Sequence, residues 1–311
     1  MILLSMLLFA GIDPGLVNNA APSETVGPRS RGPATLRAQI LLSRARFSIG
    51  EIDGVYGRNT ARALRAFRVA NALPPGDTVD AATWPMLEQF GGVSVILSYV
   101  IDKDELARPF AKVPTDMMAK AKLTHLPYES ALEGLAEKFH CSPKLLHSLN
   151  PGKRFKQAGE EIQVPNLSGL PSLPQAAIVV VDESESSVTA LDAMGKTIAS
   201  YPASMGSEYD PLPIGDWKVK GIFRNPVFHY NPALFWDADP SHAKARIPAG
   251  PNNPVGVVWI DLSKEHYGIH GAPDPSTIGK AQSHGCIRLT NWDAAELAGS
   301  VAKGTPVILQ K

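Results

Sequence analysis

The chain has 311 residues, enough for two or three domains rather than one. Its composition is globular, with 44% hydrophobic and 19% charged residues, and Lys+Arg balances Asp+Glu at 30 each, which removes the electrostatic case for a nucleic acid or an anionic membrane as partner. The 27 prolines fall in clusters and predict linkers and shaped loops in place of long helices. The chain opens "MILLSMLLFAGIDPGLVNNAAPS". Met1 to Ile12 is apolar yet too short to cross a bilayer, so no stable membrane span is expected here. It reads as the apolar part of a secretory signal peptide over residues 1–21, although no basic residue precedes it and Asn18 and Asn19 fit a cleavage site poorly. An exported protein is the expectation. Residues 22–33, polar and rich in Pro and Gly, read as a linker.

From Thr35 the character changes. Leu36 and Ile40 stand at helical spacing, Asp53-Gly54 marks a turn, and Asn59-Thr60 is placed to cap a second helix with Ala61, Leu64 and Phe67 on one face. A third, short helix would hold Trp84 and Leu87. Through "IDGVYGRNTARALRAF" and its spacing to the last apolar helix, residues 34–90 resemble the small all-α three-helix peptidoglycan-binding domain. Residues 91–124 form a connector without an assignable module, apart from a weak strand-like alternation near 93–101.

Residues 125–167 place Leu132, Leu135, Ala136 and Phe139 on one helix and begin another with Leu145, Leu146 and Leu149. An Asn-Pro turn and the strand "GEEIQVPN" follow. This order resembles a small α+β LysM module, which implies glycan strands as a ligand. Cys141, inside it, reads as packing. A short linker, 168–176, leads into a β-dominated region over 177–311. Its strands are "AIVVV", "SVTAL", "KTIASY", "DWKVKGIF", "VGVVWIDL", "YGIH", "GCIRL" and "PVIL", and Thr290 to Asp293 is a capping box for a helix over 294–302. A loop over 231–254, rich in Pro and aromatic residues, precedes the histidine-bearing strands, where such loops commonly serve function.

The densest chemistry lies in "SHGCIRLTN", Ser283 to Asn291. On one extended strand, His284, Cys286 and Arg288 would share a face, and a cationic face around a thiol draws its pKa down toward neutrality. Gly285 clears room for a substrate backbone, and the amides around it and Cys286 can serve an oxyanion. A cysteine nucleophile needs an imidazole to take its proton, and both His270, in "YGIHGAP", and His284 qualify by spacing. Arg288 on the nucleophile's face suits a substrate carboxylate.

"HG" followed a dozen residues on by "SHGCIRLTN" resembles the signature of the L,D-transpeptidase catalytic domain of bacterial cell-wall enzymes. "PIGDWKV", Asn225-Pro226 and "PAGPNNPVG" fit its pattern, with Leu212 where the family's entry carries Thr. The resemblance implies Cys286 as nucleophile, His270 as base, and His284 and Gly285 on the oxyanion side, with Ser283, Gly271 and Arg288 toward substrate and no cofactor or metal. It implies attack on the bond between a diamino acid and D-Ala in a peptidoglycan stem tetrapeptide, then transfer to an amine of another stem, a free amino acid or a carrier protein. An L,D-carboxypeptidase using water, a non-catalytic wall-binding protein, and a zinc peptidase built on His266, His270 and His284 are the alternatives.

Overall fold

The computed structural model describes residues 11–20, 24–92 and 94–311. Most of the expected signal peptide therefore lies outside the described residues. Its last part does not trail away: helix α1, Pro14–Asn18, buries Val17 completely. The Asn18 side chain accepts from the N–H groups of Val95 and Ile96, both at 2.9 Å, and donates to the Ile96 carbonyl at 3.0 Å. The expected linker over 22–33 is likewise built in from Glu24 onward. Val26 bridges to Val79, Arg31 to Val55, and the Glu24 carbonyl accepts from the buried Trp84 indole at 2.7 Å. Backbone groups paired in this way give the segment no freedom to act as a tether.

Helices α2 (Pro33–Arg44), α3 (Arg58–Ala70) and α4 (Trp84–Glu88) form the expected three-helix unit. Leu36, Ile40, Leu64, Phe67, Trp84 and Leu87 meet in its core. Gln39 staples the Asp53-Gly54 turn by accepting from both backbone N–H groups, and Gly54 takes φ +74°, which glycine adopts without cost. The expected Asn59-Thr60 cap is corrected. The N-cap is Gly57, with no side-chain bond, because Asn59 is used elsewhere: its Nδ2 donates to the Ile278 carbonyl of the C-terminal domain at 2.9 Å.

The next unit pairs β1 (Ile96–Val100) antiparallel with β2 (Glu161–Pro165). Between them run α5 (Lys103–Leu106), α6 (Met117–Lys120), α7 (Ala131–Lys138) and α8 (Pro143–Leu149). Its opening strand thus lies inside the stretch read as a connector, about thirty residues ahead of the expected boundary. Ser130 and Ser142 cap α7 and α8 through their hydroxyls. The buried side chains of this unit and of the three-helix unit join in one continuous core, with Cys141 buried and unpaired inside it.

The C-terminal domain is an eight-stranded mixed sheet in the order β11-β10-β9-β6-β12-β3-β4-β5. In chain order the strands are β3 (Ile178–Asp182), β4 (Ser187–Leu191), β5 (Thr197–Pro202) and β6 (Gly215–Arg224). A separate hairpin, β7 (Phe228–Tyr230) with β8 (Ala245–Ile247), rises from the 231–254 region. Then come β9 (Val258–Leu262), β10 (Gly268–His270), the two-residue β11 (Ile287–Arg288), α9 (Asn291–Ser300) and β12 (Pro306–Gln310). Thr290 caps α9 as its sequence promised, the helix starting three residues early. Strand β12 returns to the middle of the sheet, parallel to β3 and antiparallel to β6.

The two halves share a polar seam. Ser48 donates to Asp293 at 2.9 Å, Arg46 pairs with Glu296, and Glu137 of α7 accepts from Asn291 of α9. Residues 107–127 also brace the β7–β8 hairpin: His242 Nε2 lies 2.8 Å from Asp116, and Leu126 N–H donates to the Ala249 carbonyl. No helix among the described residues is long and apolar enough to cross a membrane.

Candidate active site

Strands β10 and β11 lie parallel, with Ile269 opposite Ile287 and His270 opposite Arg288. Side chains alternate along a strand, so His270 and Arg288 share a face. Cys286 lies just before β11, where the Gly268 N–H of β10 bonds its sulfur. The strand carrying His270 and the segment carrying Cys286 are thus adjacent, although the two residues are sixteen apart in sequence.

His270 is buried, and its ring is fixed on two sides. Nδ1 lies 2.6 Å from the Gly271 carbonyl, a bond that requires the proton on Nδ1 and leaves Nε2 as the basic nitrogen. The Trp259 indole stacks on the ring at 5.2 Å between centroids and 17° between planes. Burial lowers the imidazole pKa to about 4, against a smaller upward pull from the Gly271 carbonyl, and Arg288 lowers it further. The resting ring is neutral.

The thiol behaves opposite to the expectation from its cationic neighbours. Burial raises Cys286 to about 11, outweighing the Gly268 N–H that bonds the sulfur and the Arg288 charge, both of which lower it. The residue as a whole is half-buried, and desolvation wins over one guanidinium. The resting pair is therefore thiol and neutral imidazole, with Sγ directed at the His266 carbonyl, 3.7 Å away.

The single strand face expected for His284, Cys286 and Arg288 is also corrected. Regular pairing begins only at Ile287, and Gly285 takes φ +89°, which breaks the alternation. A Cβ there would lie 2.8 Å from the Tyr267 ring, so the backbone passes closer to Tyr267 than any other residue type allows. The His284 ring leaves the thiol's face for the β7–β8 hairpin, where Nε2 lies 2.8 Å from Asp237 and the ring packs edge-on against Phe235. Ser283, expected toward substrate, points its hydroxyl back to the Cys286 carbonyl at 2.6 Å, and its N–H is held by the Gly206 carbonyl. It shapes the turn. Gly271 contributes its carbonyl to His270 and is pressed against the Asn291 side chain. Among the described residues, no protein acceptor takes the N–H of Gly285 or of Cys286.

Arg288 is half-buried. Its Nη2 donates to the Gln282 carbonyl, its backbone exchanges bonds with Ser204, and its buried Nε has no partner. His266 is mostly exposed and pairs with Glu265, so the rings of His266, His270 and His284 each have a different partner. Sequence reasoning missed Trp259, Tyr267, Asp237 and Asn291. Trp259 was legible only through strand pairing, which sets it opposite His270. Asp237 lies 47 residues from its partner with no local signal.

Two family models match the chain: the L,D-transpeptidase catalytic domain over residues 176–309, and a peptidoglycan binding domain over residues 31–87. The L,D-transpeptidase YkuD of Bacillus licheniformis is 33% identical over 178 residues, covering 57% of this chain and 91% of that protein. Its namesake in Bacillus subtilis is 30% identical over 181 residues, covering 58% and 93%. A solved L,D-transpeptidase structure from Xylanimonas cellulosilytica aligns over 93% of this chain and 98% of its own, at 17% identity and a TM-score of 0.39. The chain belongs to the L,D-transpeptidase family, a cysteine-dependent cell-wall enzyme that carries the catalytic domain behind a peptidoglycan-binding domain.

Proposed function

We propose that Cys286 is the nucleophile and His270 the general base of a transpeptidase that acts on peptidoglycan stem tetrapeptides. The reading is supported by Cys286 at the entry to β11, bonded by the Gly268 N–H of the strand that carries His270, with Nδ1 of His270 committed to Gly271 and Nε2 left basic. Nε2 takes the thiol proton as Sγ attacks the carbonyl of the diamino acid's L-centre. The N–H groups of Gly285 and Cys286 receive the oxyanion. The imidazolium then protonates the departing D-Ala amine, leaving a thioester on Cys286. An incoming amine gives its proton to His270, attacks the thioester, and forms the new amide as the thiol is regenerated.

A neutral resting pair suits this order of events. Proton transfer is coupled to attack, and the thiolate never stands exposed to oxidants. The β7–β8 hairpin, latched to His284 through Asp237, forms one wall of the approach and governs which acceptor arrives. The front half supplies wall attachment, with residues 31–87 as the peptidoglycan contact and the β1–α7–α8–β2 unit as a LysM-like module for glycan. The setting is the periplasm or the cell wall.

The test is turnover of a stem tetrapeptide with a second stem as amine acceptor. The reading requires D-Ala release and a cross-linked product, both abolished in Cys286→Ala and reduced by orders of magnitude in His270→Gln. Release of D-Ala with only the hydrolysed tripeptide, at saturating acceptor, would assign a carboxypeptidase instead.

A further inference from the structure

Glu137 is a buried carboxyl on α7, outside the catalytic domain, with no part in the scheme above. Both its oxygens accept from Asn291 Nδ2, at 3.0 and 3.2 Å. The same Nδ2 donates to the Pro251 carbonyl at 3.1 Å, so both amide hydrogens are committed. At the other end of the amide, Oδ1 accepts from the Val257 N–H at 3.2 Å. That oxygen also sits against two glycine backbones, and a Cβ on either Gly256 or Gly271 would collide with it. Gly256 takes φ +61° to make room. The Gly271 carbonyl is the acceptor that fixes His270 Nδ1.

We propose that Glu137 is a positioning residue for the catalytic imidazole: it holds the Asn291 side chain, which sets the Gly271 backbone whose carbonyl orients His270. The proposal rests on the reading of His270 as the base. It makes the second unit of the front half a working part of the catalytic centre as well as a candidate wall contact. Burial pushes the Glu137 carboxyl up to about 8, with Glu133 raising it further and the bonds from Asn291 and Tyr128 pulling it down. It is thus mainly neutral at pH 7, and glutamine reproduces its shape and one acceptor without a charge. A side chain of similar length with no acceptor strands a buried Asn291 N–H, which recovers a partner only by turning and releasing Gly271.

The experiment uses the full chain with Glu137→Gln, Glu137→Met and His270→Gln, reading kcat and KM on a stem tetrapeptide, Tm, and the ring-nitrogen NMR shifts of His270. Glu137→Met should lower kcat about ten- to a hundredfold, the order of cost for misplacing a reacting group by about 1 Å. KM should stay within about twofold, and His270 should lose its single Nδ1–H tautomer. Glu137→Gln should keep both the wild-type tautomer and a kcat within about threefold. A folded Glu137→Met with wild-type kcat and tautomer overturns the proposal. Should Glu137→Met not fold, Glu137→Gln still decides, because a disturbed tautomer or a large kcat loss in that folded variant contradicts the hydrogen-bond chain. His270→Gln separates the two claims: retained activity there refutes the base assignment itself, whereas its loss beside an unaffected Glu137→Met refutes only the role of Glu137.

Discussion

Trp259 lies flat against His270, 5.2 Å between ring centroids, because β9 pairs antiparallel with β10 and sets the two residues directly opposite. Gly268 makes the stack feasible, since a Cβ there would sit 2.5 Å from the indole. The stack fixes the plane of the imidazole we propose as the base, and misplacement of a reacting group by about 1 Å costs up to a hundredfold in rate. Trp259→Ala and Gly268→Ala should therefore both lower kcat about tenfold or more with little change in KM. Steady-state kinetics on the folded variants is the check, and a wild-type kcat in Gly268→Ala would remove the stack from the mechanism.

The thiol, raised to about 11, and the imidazole, lowered to about 4, define a neutral pair across the ordinary pH range. Alkylation of Cys286 by iodoacetamide should accelerate through pH 9 and beyond, since only the thiolate reacts. A rate plateau already reached below pH 8 would instead show a resting thiolate–imidazolium pair.

Three carboxyls at the seams of the fold are raised by burial, Glu51 and Asp293 to about 7 and Glu137 to about 8. Each holds its proton in the folded chain at a pH where the unfolded chain has released it. Their stabilisation is complete below about pH 4 and is lost as pH rises through their folded values. Buried His270 and His140, lowered to about 4 and about 3, act in the opposite sense below about pH 6.5. The carboxyl effect therefore dominates between about pH 6.5 and 7.5, below the range where the unfolded thiols ionise, and the urea midpoint should fall there. Glu137→Gln should flatten the upper part of that decline. A midpoint that rises with pH across this window would contradict the assignment.

Arg288 faces two ways. Its Nη2 braces the Gln282 carbonyl, while its buried Nε is unpartnered beside the thiol. Charged hydrogen bonds of about 1.5–3 kcal/mol predict a loss of about ten- to a hundredfold in kcat/KM for Arg288→Ala, and lysine, without the planar fork, should not restore it. The loss should shrink on a substrate whose carboxylate is amidated. Equal losses on the free-acid and amidated substrates would leave the arginine a brace only.

Cys286 and His270 stood out in the sequence as candidates because their signal is local: a short block around Cys286 and a histidine-glycine step at His270. The strands of the C-terminal domain were legible through their apolar runs, and the α9 start through the Thr290 cap. Whatever depends on contacts between distant segments was not. Asn59 has the sequence of a cap and becomes a tie to Ile278. His284 has the spacing of a strand neighbour, yet a positive φ at Gly285 turns it to Asp237. The thiol's titration followed burial, which sequence does not display, rather than the nearby arginine, which it does. Glu137 and Asn291 meet across 154 residues, and nothing around either one announces the other.

A thioester on Cys286 would be seen by intact-mass measurement of the enzyme after brief mixing with a stem tetrapeptide, followed by peptide mapping. A mass gain equal to the tetrapeptide less D-Ala, mapped to Cys286, is the expected result. It should be present in Cys141→Ala, absent in Cys286→Ala, and discharged on adding an amine acceptor. Turnover by Cys286→Ala, or an adduct mapped to any other residue, would contradict it.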